Sequence, residues 1–444
     1  MAGSQSIRRS RLLKNLSDLA MRLLYRSVQV HQAYRATAAG PQLGVSNHFG
    51  GLSDPLIQIY ALDRVPRFIA RDVIWRYPIV KQLMNFVGAI PVHKADDSVG
   101  GGATRNDQMF ASTYQALADE DLVVIFPEGI TVDDPAIAPI KTGAARIALG
   151  ARANGVDGIQ IIPSGIHYED KAVLRSKVYV HVGDPIDLDG WVREHAGVDQ
   201  PQDSSNRDLV TELTATIESR LRRAAPNFEN WQEARVMKQA STVALRNVPG
   251  AAVFVDYGNE SALADELATR SVSEKDRIAS SLDVYEADLD AAGLSDEQMM
   301  SRQSSRQSFL WRVVWNALVG LVLLPFALVG LAINLIPIVG VWLVGKARVS
   351  PAMMATLKPA AAIVLFSIAW GIAAWFGWSL AVFSGVAAVL LLMPLYVFAL
   401  VALVERVTLV ARAIRNRAKS SRGDLHESVL QHRTAVVDAV VDAL

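Results

Sequence analysis

Cysteine is absent from all 444 residues. That excludes disulfides, thiolate metal sites and cysteine nucleophiles in one step, and it fits a reducing compartment. A charge surplus is absent as well: 44 Lys and Arg balance 44 Asp and Glu, so charge gives no support to a nucleic-acid partner. The chain has no G-x-S-x-G elbow, no Walker phosphate loop, no G-x-G-x-x-G after an apolar strand and no H-E-x-x-H pair. The usual signals for serine hydrolysis, nucleotide binding and zinc proteolysis are therefore missing. His93, His167 and His181 are scattered among candidate strands without metal-ligand spacing, and no metal site is expected. No internal repeat is visible.

Long apolar runs are present. Composition changes near Ser308, and from Phe309 to Val404 charged residues nearly vanish. These runs exceed the ~18 to 20 residues a bilayer span needs. In residues 309–345 the run is interrupted by Pro325, Asn334 and Pro337, which predicts a first hydrophobic hairpin, bent or re-entrant. Residues 359–404 predict two transmembrane helices that turn at Phe376–Gly377–Trp378. Basic residues precede the first part (Arg302, Arg306, Arg312), separate the two (Lys346, Arg348, Lys358) and follow the second (Arg406, Arg412, Arg415). All three groups lie on one side if each part enters and returns. The positive-inside rule then predicts a multi-pass protein of the cell membrane, with the soluble region and the basic tail 405–444 cytoplasmic.

Residues 1–40 read as a basic amphipathic helix, because the apolar positions of "SIRRSRLLKNLSDLAMRLLYRSV" are spaced helically rather than run together. It is expected either to pack on a core or to lie on a lipid surface. Residues 41–190 alternate strands ("LGVSN", "GAIPVHK", "LVVIFP", "IQIIPSGI", "KVYVHVG") with helices ("WRYPIVKQLMNFV", "RNDQMFASTYQALADE", "GAARIALGARANG"). That predicts an α/β domain, a central sheet flanked by helices. Residues 191–308 predict a helical connector.

The stretch "SNHFGGLSDPL" concentrates chemistry. Five residues separate His48 from Asp54. On a continuous helix that spacing would turn the two side chains about 240° apart, so joint action requires a loop. Gly50 and Gly51 permit one. Asp54–Pro55 also reads as an N-cap followed by a first-turn proline, and both roles can coexist.

"NHFGGLSD", "GAIPVHK", "FPEG" with "KTGAAR" behind it, and "IIPSGIHY" follow one another in this order. Together they resemble the four blocks of the glycerolipid acyltransferases, with the His–Asp spacing of the glycerol-3-phosphate/dihydroxyacetone-phosphate subgroup. The resemblance implies His48 as the base that takes the proton of an attacking hydroxyl, with Asp54 orienting its ring. It implies substrate contacts at Glu128 and Gly129, with Thr131 in place of a serine usual after that block. Lys94 stands where relatives carry an arginine for the acceptor phosphate; lysine keeps the charge without the bidentate fork. Lys141, Arg146 and Arg71 are further cationic candidates, and Pro163 is expected either to shape the substrate groove or to end a strand. The expected donor is acyl-CoA or acyl carrier protein, with no other cofactor, and the expected acceptor is glycerol 3-phosphate or a related phosphorylated glycerol. An acceptor that already carries one chain, giving phosphatidic acid, is the alternative within the class. A catalytically silent lipid-binding membrane protein is the alternative outside it.

Overall fold

In the computed structural model, residues 2–36, 39–62, 64–76, 78–92, 102–196, 201–246, 255–303, 306–420 and 427–444 are described. The strands are β1 (Ser27–His31), β2 (Gln42–Ser46), β3 (Arg67–Arg71), β4 (Ile90–Val92), β5 (Leu122–Ile125), β6 (Gln160–Tyr168), β7 (Lys177–Val182) and β8 (Ile186–Asp187). They form one sheet in the order β1-β7-β6-β2-β5-β3-β4, with β8 beside β6. Pairing is parallel throughout except for β7 and β8 against β6. The central strand β2 is buried along its whole length, as expected of a parallel strand covered on both faces.

Alternation along the strands divides the core into two faces. Leu43, Val45, Val123 and Ile161 lie on one, beneath helices α4 (Gly102–Ala118), α5 (Gly143–Ala153) and α7 (Arg207–Ala224). Leu122, Val124 and Ile162 lie on the other with Ile59 of α2 (Ser53–Ala61). Helices α1 (Ala2–Leu24), α3 (Pro78–Val87) and α6 (Leu188–His195) complete this part of the chain.

Helix α1 packs one face inward: Leu13, Ser17, Met21 and Leu24 are buried, and the Ser17 hydroxyl donates to the Leu56 carbonyl of α2. Leu12 and Leu16 on its other side are half exposed. The expectation of helix throughout 1–40 needs correction, because Ser27–His31 is β1, parallel to β7. Its "SVQVH" alternation is too short to stand out beside the helical pattern before it. Strands β3 and β8 were likewise not anticipated.

Two compact units emerge, Met1–Trp231 with Ser350–Ala355, and Gln232–Val349 with Thr356–Leu444. The second is helical among its described residues: α8 (Trp231–Leu245), α9 (Tyr257–Ala268), α10 (Val272–Ala292), α11 (Asp296–Gln303), α12 (Arg306–Val344), α13 (Pro351–Ser420) and α14 (Glu427–Ala443). The stretches Val313–Val344 and Pro351–Phe376 are long and apolar enough to cross a membrane, and few of their residues are buried.

In the first hydrophobic stretch, α12 keeps helical backbone through Pro325 and Pro337. Asn334 donates to the Gly330 carbonyl and accepts from Trp370 Nε1 at 2.9 Å. Helix α13 keeps helical backbone through Phe376–Gly377–Trp378. It is nonetheless not a straight rod. Trp370 meets Asn334, while one turn earlier on α12 Gly330 lies against the Tyr396 carbonyl. A straight helix would hold Trp370 and Tyr396 about 39 Å apart. The helical chain therefore doubles back between them, and Arg406 then reaches Asn316 at 2.7 Å.

Candidate active site

Strands β2, β5 and β3 are parallel neighbours, so the residues after them gather at one edge of the sheet, where ligands bind in open α/β folds. Asn47 follows β2 and is buried; its side chain donates to the Ile166 carbonyl (3.0 Å) and accepts from the Ile166 N–H (2.7 Å). This amide grips β6 as a ladder residue would, and fixes where the chain leaves the sheet.

His48 comes next. Its Nδ1 lies 2.8 Å from Asp54 Oδ2, with Asp54 fully buried and the imidazole about one-fifth exposed. Asp54 is not the N-cap of α2. Leu52 holds that position and makes no side-chain cap, Asp54 lies in the first turn, and its Oδ2 also accepts from the Gly50 N–H at 2.9 Å. The glycine pair is required here: Gly51 has φ +56°, and a Cβ on Gly50 would collide with the Tyr168 hydroxyl and Asp54 Oδ1. Tyr168, at the end of β6, donates to Asp54 Oδ1 at 2.5 Å. Burial, then the nearby carboxylate, raises the Tyr168 pKa well above the usual phenol range, so it stays protonated and donates. With Nδ1–H given to Asp54, Nε2 is the nitrogen left to accept a proton. The ring stacks on Phe126, centroids 4.4 Å apart, which fixes its plane.

Glu128, after β5, is buried. Its Oε1 accepts from the His48 N–H (2.7 Å) and its Oε2 from the Ala138 N–H (2.9 Å). Burial raises its pKa, and those two bonds offset the rise only in part. The expected substrate contact thus meets a different geometry, in which the carboxylate ties the His48 loop to the loop ahead of α5. Gly129 has φ +68°, and Lys141 Nζ occupies the space a Cβ would take. Thr131 is exposed, next to Val132, whose N–H donates to the His48 carbonyl at 3.1 Å. Arg71 is exposed at the carboxyl end of β3. Arg146 does not join this group: its guanidinium lies over the Phe110 ring of α4 (5.3 Å), in a cavity of about 350 Å³ lined also by Asp107, Tyr114 and Asn154.

Pro163 is buried within β6, in register with Val45. It ends no strand. It lies where the neighbour of β6 changes from β8 to β7, a place where its missing N–H interrupts no pairing on that side. Lys94 and His93 lie outside the described residues. His167 is buried and hydrogen-bonded to the Ala224 carbonyl, and burial lowers the His181 pKa to about 4. Among the described residues no group of His, Asp and Glu is arranged to hold a metal ion.

Asn47, Phe126 and Tyr168 were not anticipated as site residues. Each adjoins or lies in one of the quoted blocks, which was the one signal available.

Residues 27–167 match the family model described as Acyltransferase. Glycerol-3-phosphate O-acyltransferase 2 of Saccharomyces cerevisiae is 32% identical over 136 residues, 30% of this chain and 18% of the relative. Glycerol-3-phosphate O-acyltransferase 1 of the same yeast is 30% identical over 139 residues, 31% and 18% of the two chains. The chain thus spans under a fifth of the length of these relatives. A crystal structure of the 1-acyl-sn-glycerophosphate acyltransferase of Thermotoga maritima is 17% identical, covering 48% of this chain and 80% of that one, with a TM-score of 0.34. Residues 27–167 belong to the acyltransferase family.

Proposed function

We propose that the protein is a membrane-bound O-acyltransferase that moves a fatty acyl group from acyl-CoA or acyl carrier protein to a hydroxyl of glycerol 3-phosphate or a related phosphorylated glycerol. The observation that carries this reading is the His48–Asp54 pair: a buried carboxylate on Nδ1 of a partly exposed imidazole, at the edge of the sheet where ligands bind in open α/β folds. His48 Nε2 takes the hydroxyl proton as the oxygen attacks the thioester carbonyl. The tetrahedral intermediate then expels the thiolate, which recovers that proton from the imidazolium. A base so placed contributes on the order of 10² to 10⁴ in rate. Lys141, Arg71 and Lys94 are the cations proposed for the acceptor phosphate, and Thr131 lines the same edge.

Membrane residence is supported by the two exposed apolar helical stretches and by the basic residues that flank them. The catalytic domain is proposed to face the cytoplasm, where thioester donors are made. Purified protein offered labelled acyl-CoA and a panel of glycerol 3-phosphate, dihydroxyacetone phosphate and 1-acylglycerol 3-phosphate should acylate one of them. His48→Ala should lose at least 10²-fold in that activity while melting as the wild type does. Activity above a tenth of wild type in that variant would remove His48 as the base. Acylation of the lysophospholipid alone would make the product phosphatidic acid.

A further inference from the structure

The segment Ser350–Ala355 stands between two apolar helical stretches in sequence, yet it belongs to the compact unit of the sheet domain. It opens α13 in the ordinary way. The Ser350 hydroxyl accepts from the Met353 N–H at 3.2 Å, and Pro351 takes the first helical position, where no donor is needed. Four residues beyond Ala355 is Pro359, inside the same helix. Proline has no N–H, so the Ala355 carbonyl is denied its i+4 helical donor. The Ser53 hydroxyl supplies one, donating to Ala355 O at 3.0 Å, with both residues buried. Ser53 is the first residue of α2 and the neighbour of Asp54, and Tyr25 is hydrogen-bonded to both Ser53 and Tyr168.

We propose that the Ser53–Ala355 bond is a positioning contact for the reaction: the opening turn of α13, its carbonyl freed by Pro359, holds the first turn of α2 so that Asp54 meets His48. The proposal rests on the reading of His48 and Asp54 as the catalytic pair. It makes Ser350–Ala355 a working part of the catalytic domain, although 118 residues (232–349) separate it from the rest of that unit in sequence. Ser53 and Pro359 then serve one bond. Pro359→Ala returns an N–H that competes with Ser53 for the Ala355 carbonyl, and Ser53→Ala removes the bond outright.

The test is a double-mutant cycle on the full-length protein. Ser53→Ala should lower kcat about tenfold with KM for donor and acceptor unchanged, and Pro359→Ala should lower it several-fold. Combining them should cost less than twofold beyond Ser53→Ala alone. Hydrogen exchange of a peptide covering 50–57 should rise in both single variants, a readout that needs no activity. Equal, additive effects in the cycle, or wild-type exchange at 50–57 in Pro359→Ala, would overturn the proposal. Should His48→Ala prove active, the base assignment falls, while the exchange result still judges the Ser53–Ala355 tie.

Discussion

Asp54 and Asp296 are both buried, both accept from a tyrosine hydroxyl and both face nitrogen bases. Asp54, in the sheet unit, takes Tyr168 at 2.5 Å, the Gly50 N–H at 2.9 Å and His48 at 2.8 Å. Asp296, in the helical unit, takes Tyr285 at 2.8 Å, Arg246 at 2.5 Å and Arg433 at 3.0 Å. Arginine stays charged at any working pH, and the Arg433 fork spends a further donor on the Val243 carbonyl. Nothing at Asp296 can accept a proton from a ligand. At Asp54 the base is an imidazole with one nitrogen unspent, beside an edge of the sheet. One construction pins helices; the same construction with a histidine becomes a site.

The largest effects separate the two. Asp54→Asn should cut kcat by on the order of 10²-fold or more, because an amide can present N–H to Nδ1 and so place the imidazole proton on Nε2, where the base must act. Its melting midpoint should move little. Asp296→Asn should do the reverse: a buried and a partly buried guanidinium lose a shared carboxylate, at a cost of about 3 to 5 kcal/mol, while kcat per folded molecule holds. Rate and thermal melting measured on both variants decide the matter. A catalytic loss in Asp296→Asn without unfolding would break the comparison.

The pair at Asp54 was legible in the sequence through the resemblance of its block, and the glycines between supplied the loop that its spacing required. The sheet was legible for a related reason: buried parallel strands read as apolar runs between turn residues, as "LVVIF" does. The short edge strand β1 was not, since five residues of weak alternation after a strong helical pattern carry little signal. Tyr168 and Glu128 show the other limit. A sequence presents their residue types, while a hydroxyl across the sheet from Asp54, or a carboxylate turned back onto the His48 N–H, depends on pairing between segments distant in the chain.

Glu128→Gln is the next sharpening. If the carboxylate holds the His48 loop, the amide loses one of the two accepted N–H bonds, and kcat should fall about tenfold with the acceptor KM unchanged. A tenfold rise in acceptor KM at constant kcat would instead make Glu128 a substrate contact. Stability adds an independent sign. Burial raises the folded pKa of Glu128 above its unfolded value, so its contribution is present below the unfolded carboxylate range and is lost as pH rises through the raised folded value. The melting advantage of wild type over Glu128→Gln should therefore shrink from acid to neutral pH.

The smallest effects come from the two tyrosines, and they test the comparison at its finest. Tyr285→Phe removes one of three partners of Asp296, and the two arginines keep the carboxylate satisfied. About 1 kcal/mol of stability should go, with kcat unchanged. Tyr168→Phe leaves Asp54 Oδ1 buried without its donor, and more of the carboxylate charge is then felt by His48. The imidazolium formed during attack is better stabilised, so the acid limb of the kcat profile should move to higher pH while kcat on the plateau falls several-fold. A tyrosine that merely filled space would lower the melting midpoint and leave the profile where it was. An unmoved acid limb in Tyr168→Phe would reduce Tyr168 to the same structural part that Tyr285 plays, and the difference between the two carboxylates would then lie in the histidine alone.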